Sequence, residues 1–178
     1  MDKNEIARQC AAVMLNDDSA TRALGIDVEV TEPGAAIARM RVRDDMVNGL
    51  GVCHGGLIFT LADTSFAFAC NGYNLQTFAA SGHIDFLRPA KLGDELLAET
   101  VEDHRGRRTG YYLVKIKNQH DELIALLRGR SASGCQASLP FASIAARRVA
   151  SSSSDRATLI LRSGMLISTV SPFSTRPM

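Results

Sequence analysis

The sequence predicts an α+β domain in which one long apolar helix is wrapped by a curved antiparallel sheet of about five to six strands. Three observations predict it. Residues 54–70, HGGLIFTLADTSFAFAC, make an apolar run that leaves no polar stripe for a solvent face. Hydrophobicity alternates with a period of two on both sides of that run, in two stretches before it and four after it. The later stretches are separated by turn clusters, which join neighbouring strands in antiparallel fashion. A helix apolar around most of its circumference has to be covered on several sides, and a sheet curled around it does so with few elements.

The elements follow in order. Residues 3–15 place Ile6, Cys10, Val13 and Met14 at helical spacing with charged and amide residues between them, a short amphipathic helix that Asp17, Asp18 and Ser19 interrupt. From Gly25 the pattern becomes IDVEVTE, then Pro33-Gly34, then AAIARMRVR, two antiparallel strands around a turn. DDMVNGLGVCHGG is a glycine-bearing loop, and Asn71 and Gly72 end the apolar helix. Residues 78–87, 95–104, 110–118 and 123–133 are the remaining strands, divided by RPAKLGD, RGRRT and QHDE.

Length and charge set bounds on the organisation. A chain of 178 residues suffices for one domain with a proper core and an appendage. Residues 1–134 form the expected domain. Residues 135–178, which include the Ser-rich RRVASSSSDRAT, form an appendage expected to be poorly ordered, with a partner-binding tail as the sharper alternative. The formal charge of +1 divides into −3 for the first part and +4 for the second. It gives no global reason to expect nucleic acid or a membrane as a partner. Cys10, Cys53, Cys70 and Cys135 lack metal-site or disulfide-scaffold spacing, so no metal is expected and reduced thiols in a cytoplasmic protein fit. MDKNEIARQC has no apolar signal-peptide core.

Asp63 is the one charged residue in the apolar run. A buried carboxylate needs a partner or a raised pKa, so Asp63 is open between an Arg- or backbone-paired structural carboxylate and a reactive one. His54-Gly55-Gly56 stands where a helix offers unpaired N–H groups and the positive end of its dipole, a seat for an anion or oxyanion; tight helix packing is the other account of the two glycines. At 1.5 Å per residue Gly55 and Asp63 lie roughly 12 Å apart along one axis. One helix cannot aim both at one small group, so a shared site requires the carboxylate of a second copy. His54 reads as a capping or orienting residue rather than a metal ligand, and His83, His104 and His120 as ordinary strand or turn residues.

The segments NGLGVCHGGLIFTLADTSFAFACN, IDFLRPAKLGD and LLRGRSAS, in that order, resemble the hotdog-fold thioesterases, in particular the phenylacetic-acid-degradation (PaaI-type) group, over roughly residues 5–134. The resemblance implies a hotdog fold paired into homodimers and usually homotetramers, with acyl-CoA as substrate and no cofactor beyond the CoA it carries. It implies that Asp63 is the catalytic carboxylate, that the Gly55 N–H polarises the thioester carbonyl, and that Asn48 with His54 holds the group or the attacking water. The implied substrate is a ring-hydroxylated phenylacetyl-CoA. Gly56 belongs to the same helix start, and Thr64 and Ser65 are lesser candidates for bonding the carboxylate or water, with packing as the alternative.

A thioester hydrolyses through a tetrahedral oxyanion, which needs aimed donors and either a nucleophile or a base for water. Arg88, Arg128 and Arg130 are candidate phosphate contacts; the alternative for each is a solvated Arg, and Arg107 and Arg108 read as solvated turn residues. Phe59, Phe66 and Phe78 are possible acyl-pocket contributors, with core packing as the alternative. Two other functions compete. A hotdog enoyl-CoA hydratase needs a His about a turn after the carboxylate, where this chain has Phe68 and Ala69. A non-catalytic acyl-CoA sensor controlling a partner would want a DNA-binding module, and none precedes residue 20.

Overall fold

The computed structural model describes residues 2–133; the expected appendage at 135–178 lies outside the described residues. In chain order the elements are α1 (Lys3–Asp17), α2 (Ser19–Leu24), β1 (Asp27–Glu32), β2 (Ala35–Arg41), a 3-10 turn (Asp44–Met46), α3 (Gly55–Asn71), β3 (Thr77–Phe86), β4 (Glu95–Arg105), β5 (Thr109–Lys117) and β6 (Leu123–Ser133). The six strands form one antiparallel sheet in the order β1-β2-β4-β5-β6-β3. The expected helices and strands are all present, with one addition. Asp18 does more than interrupt α1: its carboxylate accepts from Thr21 N at 2.9 Å and Thr21 Oγ1 at 2.6 Å, capping the six-residue α2.

The sheet meets α3 through small residues. Ala36 and Ala38 of β2 and Ala98 of β4 are fully buried and let the helix lie close. At their centre Ser65 Oγ lies 3.2 Å from the carbonyl oxygens of Ala36 and Ala98 and accepts a hydrogen bond from Thr100 Oγ1 at 2.7 Å. Three buried polar groups are thereby satisfied. One residue along, the Phe66 ring packs against Tyr112 with centroids 5.0 Å apart and fills the space over Gly129. A Cβ on Gly129 would sit 2.9–3.1 Å from three carbons of that ring.

Both ends of α3 are tied to β3. At the C-terminal end Asn71 accepts from Thr77 N at 2.9 Å and donates to Thr77 O at 3.0 Å. At the N-terminal end the Phe86 ring lies against Gly55. The helix and the strand therefore run antiparallel along their whole lengths. β3 pairs only with β6, so its other edge carries no ladder, and seven of its ten residues are exposed, including Phe78 and Phe86. No helix among the described residues is long and apolar enough to cross a membrane.

Candidate active site

The loop before α3 folds back on itself. Val47 bridges Cys53, Asn48 N donates to Val52 O at 2.8 Å, and His54 N donates to Met46 O at 2.8 Å. Asn48 Oδ1 accepts from Leu50 N at 2.9 Å and Val52 N at 3.4 Å, an Asx-type closure that fixes the loop. With its oxygen engaged inside the loop, Asn48 has only its amide N–H groups to offer a ligand.

His54 is the N-cap of α3. Its Nδ1 accepts from Gly56 N at 3.1 Å, which assigns the ring proton to Nε2, so the exposed edge of the imidazole is a donor. This changes the expectation for Gly56, whose N–H is held by His54 and is not available to a substrate. Leu57 N and Ile58 N both donate to His54 O. The N–H of Gly55 remains, with no partner among the described residues, at the positive end of a 17-residue helix.

Beside Gly55 opens a cleft of about 330 Å³ lined by Val52, Gly55 and Ile58 on one side and by Phe86, Leu87 and Arg88 on the other. That volume is at the lower end for small-molecule sites and suits one arm of a larger ligand. Burial pushes the Cys53 thiol at its base up from the ordinary value, with the Asp94 carboxylate adding to the shift, so Cys53 is not an activated nucleophile.

Asp63 is half-buried on the uncovered flank of α3, with Gly56, Phe59, Thr60 and Ala67. No hydrogen bond or ion pair reaches its carboxylate among the described residues, which removes the reading of a structural carboxylate held by Arg or backbone. Burial alone pushes its pKa above the ordinary aspartate value. Thr64 is half-buried, two turns from Gly55 like its neighbour. Ser65 is wholly engaged with the sheet and faces away from any cleft.

The other expected site residues divide. Arg88 lines the cleft and is braced by Nη1 donating to Leu123 O at 3.0 Å. Arg128 is paired with Asp85 at 3.2 Å, and the same carboxylate meets His83 Nε2 at 3.2 Å, so this Arg is engaged on the strand surface away from the cleft. Arg130 is half-exposed on β6. Phe66 is a correction: it is 1% exposed in the core and cannot line an acyl pocket. Phe59 packs over Gly82, and Phe78 stands exposed on the free side of β3. Phe86 and Leu87, which do line the cleft, were not singled out from sequence; their place as the first two residues of FLRP was the available signal. No group of three metal-ligating side chains occurs among the described residues.

Comparison with known proteins agrees with this architecture. Residues 50–125, which contain α3 and most of the strands after it, match the family model of the Thioesterase superfamily. The acyl-coenzyme A thioesterase PaaI of Escherichia coli K12 is 45% identical over 125 residues, 70% of this chain and 89% of that one. The solved structure of the E. coli PaaI protein, from the phenylacetic acid degradation operon, superposes with a TM-score of 0.73 at 42% identity, covering 75% of this chain and 96% of the other. A Streptococcus mutans protein solved bound to acetyl-CoA is 29% identical with a TM-score of 0.59, over 61% of this chain and 88% of that one. An apolar helix inside an antiparallel sheet, a free amide at its start and a similarity that spans nearly all of the described residues lead to one assignment: the chain is a PaaI-type member of the thioesterase superfamily, with the hotdog fold.

Proposed function

We propose that the protein hydrolyses acyl-CoA thioesters in a site built by two copies of the chain, the Gly55 N–H of one and the Asp63 carboxylate of the other. The observation that carries this reading is the pairing of two unsatisfied groups on one helix: a donor at its start and a half-buried carboxylate eight residues along. They are too far apart, roughly 12 Å, to serve one carbonyl within a protomer. The uncovered flank of α3 and the unpaired edge of β3 lie side by side, a surface that a second copy would cover. A two-fold axis bringing Gly55 to the partner's Asp63 also brings Asp63 to the partner's Gly55, giving two equal sites per dimer.

In this mechanism the thioester carbonyl points at the Gly55 N–H, which stabilises the oxyanion as it forms; a donor of this kind is worth about 2.7–4 kcal/mol. The Asn48 amide and the His54 Nε2–H are further donors at the rim, for the carbonyl or for water. Asp63, with no competing partner among the described residues, acts as the carboxylate: it takes the proton of attacking water, or it attacks the carbonyl itself, expelling the CoA thiolate and forming an anhydride that water then cleaves. Either route completes hydrolysis with CoA and the free acid as products and needs no cofactor. Arg88 at the mouth of the cleft contributes charge toward the CoA phosphates.

The relatives named above support acyl-CoA as the substrate class, and the operon of the E. coli protein supports a phenylacetyl-type acyl group; the ring-hydroxylated ester and a cytoplasmic location are part of the proposal. The aromatic and aliphatic walls of the cleft, Phe86, Leu87 and Ile58, suit an apolar acyl group. The test is thiol release from a panel of acyl-CoA esters. Hydrolysis with the hydroxyphenylacetyl ester in the lead is expected, with Asp63→Asn lowering kcat by about 10²–10⁴-fold while CoA binding persists. Binding without thiol release from any ester would favour a sensor, and near-wild-type turnover by Asp63→Asn would remove the carboxylate from the mechanism.

A further inference from the structure

We infer that the cleft beside Gly55 is a blind acyl pocket, closed at its inner end by Cys53 and Ala90, which admits a single ring or a short chain and turns away long straight-chain acyl groups. The inference rests on the reading of the Gly55 N–H as the donor to the thioester carbonyl.

The closure is built from backbone. Cys53 N donates to Ala90 O at 2.8 Å, and Val52 forms an antiparallel bridge with Lys91, so the two sides of the cleft are zipped together at its base. Ala90 is wholly buried and Cys53 is 4% exposed, and both line the cleft. Each wall is also held from behind. On one side stands the first turn of α3, with His54 N donating to Met46 O and Leu57 N to His54 O. On the other, Leu87 N and Arg88 N both donate to Ile124 O, at 2.8 and 3.1 Å, and Arg88 Nη1 donates to Leu123 O at 3.0 Å, which fastens the segment to β6. Pro89 follows as a stiff link between that anchor and the base. An acyl group that reaches the base therefore meets fixed backbone, and not side chains that can rotate aside.

The covalent chain itself bounds the depth. Cys53 precedes Gly55 by two residues, so their α-carbons are at most about 7 Å apart however the loop folds. A carbonyl held at Gly55 is thus followed by about five or six carbon–carbon bonds, at roughly 1.3 Å of advance each, before the acyl group touches the base. The benzyl part of a phenylacetyl group spans about four such steps and ends inside. Its ring fits by volume too, since a cavity of about 150 Å³ holds benzene and the cleft has about 330 Å³. A decanoyl or dodecanoyl chain has to leave past Phe86 and Leu87, whose outer sides are open to solvent at 53% and 48% exposure. Its outer methylenes then bury little apolar surface and add no affinity.

Equilibrium binding of S-alkyl-CoA thioethers, from S-ethyl to S-dodecyl, and of S-phenethyl-CoA to the full-length protein tests this without turnover; the first methylene of each stands in for the carbonyl carbon. Affinity is expected to rise about fourfold per methylene as far as hexyl and to stay level or fall from octyl onward, with S-phenethyl-CoA bound about as tightly as the hexyl thioether. A steady rise through dodecyl would overturn the inference. Cys53→Ala takes a sulfur from the base and is expected to move the break about one methylene longer, while Ala90→Val adds two methyls there and moves it shorter, weakening S-phenethyl-CoA about tenfold and leaving S-ethyl-CoA unchanged. A break that stays at hexyl in both variants, or in whichever of them folds, would remove Cys53 and Ala90 as the end of the pocket. The hydrolase reading is judged separately. A break at hexyl in a protein that releases thiol from no acyl-CoA would sink that reading and leave the pocket standing; equal kcat/KM from hexanoyl- through dodecanoyl-CoA would do the reverse.

Discussion

Asp63 titrates in a setting where nothing but burial acts on it. Its raised pKa means that the folded chain holds the proton more tightly than the unfolded chain does. The contribution to stability is therefore fully present below the ordinary aspartate value and is lost as pH rises through the folded-state value. At pH 7 the ionised carboxylate works against the fold of the isolated chain, so Asp63→Asn is expected to raise Tm by a few degrees at pH 7 and to match wild type near pH 3. Calorimetry at the two pH values checks this, and a lower Tm for the variant at pH 7 would contradict it. The same shift places the acid limb of the wild-type kcat/KM profile above the ordinary aspartate value, and the limb is expected to vanish from the residual rate of the variant. Asp63 and Gly55 stand out as candidates in the sequence because a charge in an apolar run and glycines at a helix start are local signals. The engagement of the Gly56 N–H by the side chain two residues earlier, and the loss of Arg128 to Asp85 across two strands, depend on rotamers and register that residue types do not encode.

At the scale of elements, α3 is fixed to the sheet by a polar contact and a steric one. Ser65→Ala would leave Thr100 Oγ1 without its acceptor in a dry interior and is expected to cost about 1–3 kcal/mol, with turnover per folded molecule unchanged. Denaturant unfolding with a parallel kcat measurement separates this structural role from a catalytic one, which would lower kcat instead. Gly129→Ala would drive a methyl into the Phe66 ring, which Tyr112 holds from the side, and is expected to destabilise by about 1–3 kcal/mol. An unchanged unfolding midpoint would show that the ring has room to move. The strands were legible because their period of two survives in β2, β4 and β5, where Ala36–Ala38–Met40 and Tyr112–Val114–Ile116 face the helix. α2 was not, since six residues carry too little periodicity to register, and its signal is the Asp18 cap alone.

At the scale of the whole molecule, the order β1-β2-β4-β5-β6-β3 sends the strand that follows α3 to the far edge of the sheet. Alternation along the chain cannot reveal that order, because it reports which face a residue takes and not which strand lies beside it. The consequence is functional: an edge strand exposed on most of its length and the uncovered flank of α3 form one continuous surface containing Asp63. The account needs that surface to meet its own copy. Gly55→Pro removes the amide hydrogen at the first helical position, where proline is tolerated, and His54 before it already has the extended ψ of 128° that precedes proline.

The most direct measurement is the activity of a purified hybrid pairing one Gly55→Pro chain with one Asp63→Asn chain. Each variant alone is expected to lose about 10²-fold or more of kcat, and the hybrid to recover about half of the wild-type kcat per dimer, through its single site with both groups intact. A hybrid as inactive as its parents would place both groups of each site on one chain and contradict the account.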